Sequence, residues 1–296
     1  MTGLPVRTDD LAGFSISPAE FALFRKLIYR ETGIALADCK KVLVSTRLAR
    51  RLRHFDFDSF QKYYDFLMKA DPSGDEKRRM INCITTNKTS FFRERHHFDL
   101  LDELLLHPMQ LRAAAGAPRR LRIWSAACST GEEPYSIAIT VRDTLASLAA
   151  WDVKILASDI DTDVLARAER GIYEIDDLND VPASLRARHF LRGTKESEGL
   201  VSVKPEIRRL VHFRRVNFVD AVWPVRGKFD AIFCRNVLIY FDRETQYRLL
   251  ARLADLLKPE GFLFVGHSEN LHWFRDLLIP VATSVYRIAA PTRGAP

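Results

Sequence analysis

The chain has 296 residues, of which 47% are hydrophobic and 28% are charged, and its formal net charge is +7. This length allows two domains with a full-sized core, and the composition is ordinary for a globular protein. No apolar run approaches the roughly 20 residues that span a bilayer, and residues 1–13 lack the apolar centre of a signal peptide, so we expect a cytoplasmic protein. The positive charge predicts an acidic partner, either nucleic acid or protein.

The first part of the chain carries helix signals only. Ser17-Pro18-Ala19-Glu20 is a capping box with proline at the first helical position, and the apolar periodicity after it ends at Gly33. Further helices are predicted over residues 40–54, 57–70 and 75–85. The sequence therefore predicts an all-α N-terminal domain over residues 1–86.

From Leu121 onward, short β-rich runs alternate with helices. Strands are predicted near 121–127, 153–158, 211–217, 229–234 and 261–266, and helices near 133–149, 162–170 and 243–257. Such alternation is typical of a doubly wound α/β sheet. Residues 171–210 are too long and too polar for a plain connection and contain short β-like pieces, so we predict an inserted β-subdomain there.

Residues 121–136 read as a buried strand, a loop of small residues and a helix start that carries two carboxylates. A phosphate group would need bare N–H groups and usually several glycines, but Gly131 is the only glycine here, and Glu132 and Glu133 would repel an anion. A nucleoside with an ammonium and a sulfonium group, S-adenosylmethionine, fits this polarity. The alternative is that the two glutamates only complement the helix dipole.

Polar residues follow three of the predicted strands, where a doubly wound sheet binds its ligand. Asp159 is placed to hold both hydroxyls of a ribose, although an aspartate there can also cap the next helix. Asn217 could read an adenine edge or form a turn. Arg235 and Asn236, with the hydroxyl of Tyr240 a few residues later, predict the floor of an active site.

Five motifs occur in one order along the chain. They are NKTSFFRE (87–94), WSAACSTGEEPY (124–135), ASDID (157–161), FCRNVLIYFD (233–242) and GHSEN (266–270). Together they closely resemble the CheR-type chemotaxis receptor glutamate O-methyltransferases. The resemblance implies a Rossmann-like, S-adenosylmethionine-dependent methyltransferase domain over 87–296, with 171–210 as its insertion. It also implies methyl transfer to glutamate side chains of chemoreceptors, which forms methyl esters in chemotaxis adaptation.

The same resemblance implies the site residues. The cofactor site is expected to be lined by Asn87, Thr89, Arg93, Glu133, Asp159, Asn217, Phe218, Arg235 and Asn236. The catalytic candidates are Arg93 and Tyr240. Whether Glu132 or Glu133 contacts the cofactor stays open. The chemistry needs no general base, because a glutamate side chain, whose ordinary pKa is about 4.3, is already ionised at neutral pH.

Arginines recur at helical spacing in the N-terminal domain. Arg47, Arg50 and Arg51 occupy positions i, i+3 and i+4 and so form one basic face, which Arg53 continues. Such a run is usually a solvated surface, but the resemblance favours Arg47, Arg50 and Arg53 as a docking surface for acidic receptor helices. We expect a monomer whose partner is the cytoplasmic domain of a chemoreceptor, with no nucleic acid and no membrane insertion. The resemblance also suggests that the insertion binds a receptor tether.

The alternative functions are an RNA methyltransferase and a non-catalytic S-adenosylmethionine-sensing adaptor. The segment after residue 233 lacks the Asn/Asp-Pro-Pro-aromatic motif and the Pro-Cys pair of nucleic-acid methylation, and the intact site residues disfavour an adaptor. No metal is expected, because the scattered cysteines form no zinc pattern and the adjacent His96 and His97 should diverge on a helix. His267-Ser268-Glu269 is not expected to form a hydrolase triad.

Overall fold

The computed structural model describes residues 14–289, so residues 1–13, for which the sequence predicts no targeting segment, lie outside the described part of the chain. The chain divides into two compact units, Met1–Thr86 and Asn87–Pro296. No helix among the described residues is long and apolar enough to cross a membrane.

The first unit is helical, as the sequence predicts. Its helices are α1 (Pro18–Thr32), α2 (Lys41–His54), α3 (Phe60–Lys69) and α4 (Asp75–Ile84). The predicted capping box is present, because the Ser17 side chain accepts the N–H of Glu20 and the Glu20 side chain accepts the N–H of Ser17. Gly33 ends α1 in the left-handed region, with a φ of 75°. Phe24 and Tyr63 stack in the core, with ring centroids 5.9 Å apart.

The second unit is built on a sheet whose strands are mostly parallel. The strands of this unit are β1 (Arg120–Ala126), β2 (Asp152–Asp159), β3 (Ile172–Glu174), β4 (Phe190–Arg192), β5 (Leu200–Val203), β6 (Val211–Arg215), β7 (Phe229–Cys234), β8 (Leu257–Phe264), β9 (Leu278–Ala282) and β10 (Val285–Ile288). Seven of them form one sheet in the order β6-β2-β1-β7-β8-β10-β9. The first five are parallel, and β10 pairs antiparallel with both β8 and β9. This is the predicted doubly wound α/β fold, and its strand order reverses between β1 and β7.

Helices precede the first strand and, with turns, connect the later ones. The helices are α5 (His96–Leu101), α6 (His107–Ala114), α7 (Glu132–Thr144), α8 (Thr162–Arg170), α9 (Ala183–His189), α10 (Pro205–Arg208) and α11 (Arg243–Leu256). α7 and α11 bury apolar residues, and β7, at the centre of the sheet, is buried along its whole length. Such a continuous buried run is expected of a parallel strand that is covered on both faces.

The sequence analysis did not predict two parts of the second unit. Residues 96–114 form a continuous helical segment in which a π-helical turn, Asp102–Leu106, joins α5 to α6. The turn shifts the 3.6-residue periodicity, and Pro108 lies just after it, at the start of α6. The strands β9 and β10 were also missed. β9 is exposed over much of its length and contains Pro280, which fits an edge strand.

The insertion contains a small antiparallel sheet in the order β3-β5-β4, which confirms the predicted β-subdomain. Tyr173 of β3 is buried, and its hydroxyl donates to the carbonyl oxygen of Thr130 at 2.8 Å, so the insertion is attached to the loop that follows β1. Gly131 in that loop has a φ of 100°, and a Cβ there would lie 2.8 Å from both Ala168 Cβ and Tyr173 Oη. Only glycine fits this close approach.

Candidate active site

Loops from several strands meet at the carboxyl edge of the large sheet, beside the point where the strand order reverses. The Ser129 N–H, in the loop after β1, donates to Asp159 Oδ2 at the end of β2 at 2.9 Å. The segment 87–94 lies against these loops, because Asn87 Nδ2 donates to Asp161 Oδ2 at 2.7 Å and Ser129 Oγ donates to the Asn87 carbonyl. The edge is the usual ligand position in this fold.

Asp159 is a buried carboxylate held by backbone groups. Its Oδ1 accepts the N–H of Asp161 at 3.0 Å, and its side chain is almost fully buried. Burial raises the pKa of Asp159 to about 6, against the lowering effect of the Asp161 and Ser129 N–H donors. Each oxygen keeps further acceptor capacity, which suits a ligand that offers hydroxyl donors. Asp161, rather than Asp159, caps α8 through its contacts with Asp163 and Val164.

Arg235 forms the ionic centre of the site. Its side chain is 1% exposed and pairs with Glu94 Oε2 and Glu133 Oε2, each at 3.1 Å, while a further N–H donates to the Arg93 carbonyl. Burial alone would raise the pKa of Glu94, but Arg235 and Asn236 hold it below its usual range. Burial raises the pKa of Glu133 despite the nearby Arg235 charge. The arrangement is a buried ion triad drawn from three separate segments.

The two glutamates at the start of α7 lie in different surroundings. Glu133 accepts from Ser125 Oγ at 2.7 Å and from Arg235, so it belongs to the ionic centre. Glu132 is buried as well, but both of its oxygens contact Thr130 Oγ1. The geometry supports Glu133 as the glutamate that takes part in the site.

Two carboxylates of the site, Glu94 and Glu269, belong to the sequence motifs but were not predicted to have a role of their own. Glu94 contacts both Arg235 and Asn236. Glu269 accepts the backbone N–H groups of Asn236, Leu238 and Gly266 at 2.7–2.8 Å and so fixes the loop that follows β7. Each lies far along the chain from the residues that it contacts just after β7, and its position inside a motif was the one signal that could have found it.

Backbone strain is concentrated in the same loops. Among the described residues, the non-glycine residues with positive φ include Phe92, Glu94, Ala127, Ser129 and Asn236, with φ values from 50° to 68°. Such conformations cost free energy and persist where the surrounding structure holds them, often at functional sites.

The remaining predicted residues lie on the segment 87–94 and on the loops that follow β6 and β7. Arg93 is partly exposed, and its guanidinium donates to the Lys88 carbonyl at 2.8 Å. Tyr240 is partly buried in the 3-10 turn Leu238–Tyr240. Thr89 lies on the segment 87–94. Asn217 is buried just after β6, and Phe218 beside it contacts Trp223 and Phe241.

The arginines of α2 do not share one exposed face, and this part of the sequence interpretation was wrong. Arg51 turns inward and pairs with Glu76 through two hydrogen bonds of 2.7 and 2.5 Å, so its side chain is only 12% exposed. Arg47 donates to the carbonyl oxygens of Ile84 and Thr85, which tethers the end of α4. Arg50 and Arg53 are exposed. The helical periodicity identified the arginines, but it could not show which of them meet polar groups of α4.

Known proteins match the chain over both units. Residues 19–85 match the family description "CheR methyltransferase, all-alpha domain", and residues 87–286 match "CheR methyltransferase, SAM binding domain". The chain is 49% identical to Chemotaxis protein methyltransferase 2 of Pseudomonas aeruginosa over 92% of this chain and 94% of that one. It is 48% identical to the Chemotaxis protein methyltransferase of Salmonella typhimurium over 86% of this chain and 85% of that one, and 47% identical to that of Escherichia coli over 86% of each. Matches of this extent show that the chain belongs to the CheR family of chemotaxis protein methyltransferases, whose cofactor is S-adenosylmethionine.

Proposed function

We propose that the protein transfers a methyl group from S-adenosylmethionine to glutamate side chains of chemoreceptors and forms methyl esters there. One observation carries this choice of acceptor. Arg235 is buried and already pairs with two carboxylates, whereas Arg93 is partly exposed and no carboxylate among the described residues pairs with it. A partly exposed arginine without a carboxylate partner is suited to bind an incoming carboxylate.

The residues of the carboxyl edge fit S-adenosylmethionine. Asp159 offers acceptor capacity for ribose hydroxyls, and the carboxylates of Glu94 and Glu133 suit a positively charged ligand better than an anionic one. Arg235 Nε is buried without a hydrogen-bond partner among the described residues, which leaves one donor in the centre for a ligand oxygen. When bound, the cofactor supplies an electrophilic methyl group on a sulfonium.

The protein's own contribution is to orient the acceptor and to exclude water. We assign Arg93 to hold the substrate carboxylate through charge-assisted hydrogen bonds and Tyr240 to position it with its hydroxyl. No residue has to remove a proton, because the substrate carboxylate is ionised at neutral pH. The charge of the ionised acceptor is neutralised during transfer, so a dry, fixed pocket favours the reaction.

We also propose that the exposed arginines of α2 contact acidic receptor helices. Arg50 and Arg53 are the exposed members of the predicted surface, whereas Arg47 is partly occupied by the end of α4. The expected partner is the cytoplasmic domain of a chemoreceptor, and the protein is expected to act as a monomer.

The insertion is proposed to bind a receptor tether. β3 and β4 are the edge strands of its small sheet, and Ile172 and Leu191 on them are exposed apolar residues. An extended peptide can add a strand to such an edge. Deleting the receptor tail should then weaken binding to the protein, whereas equal binding and equal rate without the tail would contradict the tether.

The acceptor group is tested with labelled S-adenosylmethionine and receptor cytoplasmic fragments. Methyl esters of glutamate should release the label as methanol in mild base, and fragments with glutamine in place of the accepting glutamates are the control. A label that is stable to base, or one that goes to RNA instead of the fragment, would contradict the proposed acceptor.

A further inference from the structure

Three histidines of the second unit lie together beside the ionic centre. His96 and His97 begin α5, and His267 lies in the loop that follows β8. The ring centroids of His96 and His97 are 4.1 Å apart, and His267 Nε2 lies 2.9 Å from His96 Nε2. The expectation that the adjacent histidines diverge was therefore wrong, and one nitrogen from each of the three rings lies within 4.8 Å of the others.

His97 is fully buried, yet neither of its ring nitrogens has a hydrogen-bond partner among the described residues. A neutral imidazole carries one N–H and one lone pair, and buried polar atoms of this kind are nearly always satisfied. The lone pair of His97 thus has no electron-pair acceptor among the described residues, and a metal ion would supply one.

Glu94 stands where a carboxylate supports a metal-binding histidine. Its Oε2 lies 3.4 Å from His97 Nδ1. Histidine ligands usually donate their second ring N–H to a carboxylate, which fixes the tautomer and leaves the other nitrogen for the metal. In this structure the contact is not a hydrogen bond; in the metal-bound state Nδ1–H would donate to Glu94 and leave the Nε2 lone pair for the ion.

We propose that His96, His97 and His267 form a binding site for a divalent transition metal ion, with Zn²⁺ as the best match. Three imidazole nitrogens with a fourth position open to solvent are a common zinc arrangement, and Zn–N bonds of about 2.0–2.1 Å place ligand nitrogens about 3.4 Å apart. His267 is exposed and His96 partly exposed, so the ion can enter and the outer rings can close to that spacing. The proposal concerns binding of the ion and does not depend on the methyl acceptor.

The experiment uses the full chain with Cys39→Ser, because the exposed Cys39 thiol would bind zinc on its own. The metal-free protein is titrated with Zn²⁺ against a chromophoric chelator and, separately, with Co²⁺ while visible absorption is recorded. We expect a Kd of about 1 μM or lower and cobalt absorption of tetrahedral type. His267→Ala should weaken Zn²⁺ binding about 100-fold and abolish that absorption. His107→Ala, which removes an exposed histidine of α6, should change neither.

His97→Gln tests the buried ligand and should weaken binding at least as much as His267→Ala. If His97→Gln fails to fold, the exposed His267 variant still decides the question. Equal Zn²⁺ affinity in His267→Ala and His107→Ala, or no Zn²⁺ bound by the parent protein at about 100 μM, would overturn the proposal.

Discussion

Both α2 and the active site contain two kinds of arginine that the sequence alone does not distinguish. One kind is buried and paired with carboxylates, and the other has no carboxylate partner among the described residues. Arg51 and Arg235 are buried and pair with carboxylates, Glu76 in the first case and Glu94 with Glu133 in the second. Arg50 and Arg93 have no carboxylate partner among the described residues. Whether an arginine supports the fold or stays available to a partner is thus decided by carboxylates on other segments.

The largest effect is expected when a paired arginine is removed. Arg235→Met leaves two buried carboxylates without their cation, and we expect the free energy of unfolding of the second unit to fall by about 3–5 kcal/mol, with loss of methyl transfer. Arg51→Met should destabilise the helical unit by a similar amount because it leaves the buried Glu76 carboxylate without its cation. Urea unfolding and an activity assay below the transition measure both. Wild-type stability in Arg235→Met would show that the pairing is not structural.

Arg93→Ala removes an arginine that has no carboxylate partner among the described residues, so it should affect catalysis and not stability. We expect kcat to fall about a thousandfold, as for two lost charge-assisted hydrogen bonds of about 2 kcal/mol each, while the free energy of unfolding stays unchanged. Single-turnover rates and urea curves provide the two readouts, with Arg95→Ala, an exposed neighbour, as the control. A stability loss as large as that of Arg235→Met would contradict the distinction.

The same comparison extends to Asp159, a carboxylate that pairs with no cation among the described residues. Asp159→Ala should weaken S-adenosylhomocysteine binding by about 1.5–3 kcal/mol, or about 10- to 150-fold. Because the carboxylate form accepts the ribose hydroxyls and its pKa is raised to about 6, affinity should fall as the pH decreases through 6 and be about tenfold lower at pH 5 than at pH 7. Calorimetry across this pH range checks whether affinity falls as the pH decreases. Asp159→Asn, which has no carboxyl group to protonate at this position, is the control. A flat profile in the wild type would remove Asp159 from the ribose site.

Tyr240→Phe keeps the ring and removes only the hydroxyl. If that hydroxyl positions the acceptor, kcat should fall by roughly ten- to a hundredfold, which corresponds to one hydrogen bond of about 1.4–2.8 kcal/mol, with little change in cofactor affinity. Tyr247→Phe, an exposed tyrosine of α11, is the matched control. If Tyr240→Phe has the wild-type single-turnover rate at saturating substrates, the hydroxyl does not position the acceptor and Tyr240 has only a structural role in the turn.

The smallest effect is expected at the surface of the helical unit. Arg50→Glu should raise the KM for receptor fragments by about tenfold and leave cofactor affinity unchanged, because exposed charges steer association and are screened by salt. The increase should shrink at high ionic strength. If cofactor binding fell in parallel with receptor methylation, the docking role of α2 would be wrong.

The sequence predicted the helical unit and the parallel strands because their signals are local. The capping box at Ser17 marks the start of α1, and the apolar run of β7 marks a buried central strand. Asp159 and Arg235 could be placed at the edge of the sheet because each lies where a predicted strand ends. The roles of Glu94 and Glu269 and the meeting of His267 with His96 could not be predicted, since they depend on contacts between segments that are distant in sequence.

Glu269 has a consequence for the order in which the protein is built. It lies 33 residues after Asn236, whose N–H it accepts, and it follows β8. A chain that is still being synthesised therefore carries Arg235 and Asn236 well before the carboxylate that holds their loop has emerged. Closing the loop of 33 residues between Asn236 and Glu269 also carries an entropic cost. The strands β1, β2, β6 and β7 thus precede Glu269 in the chain, so the loop after β7 can be fixed only after the segment that follows β8 has been made.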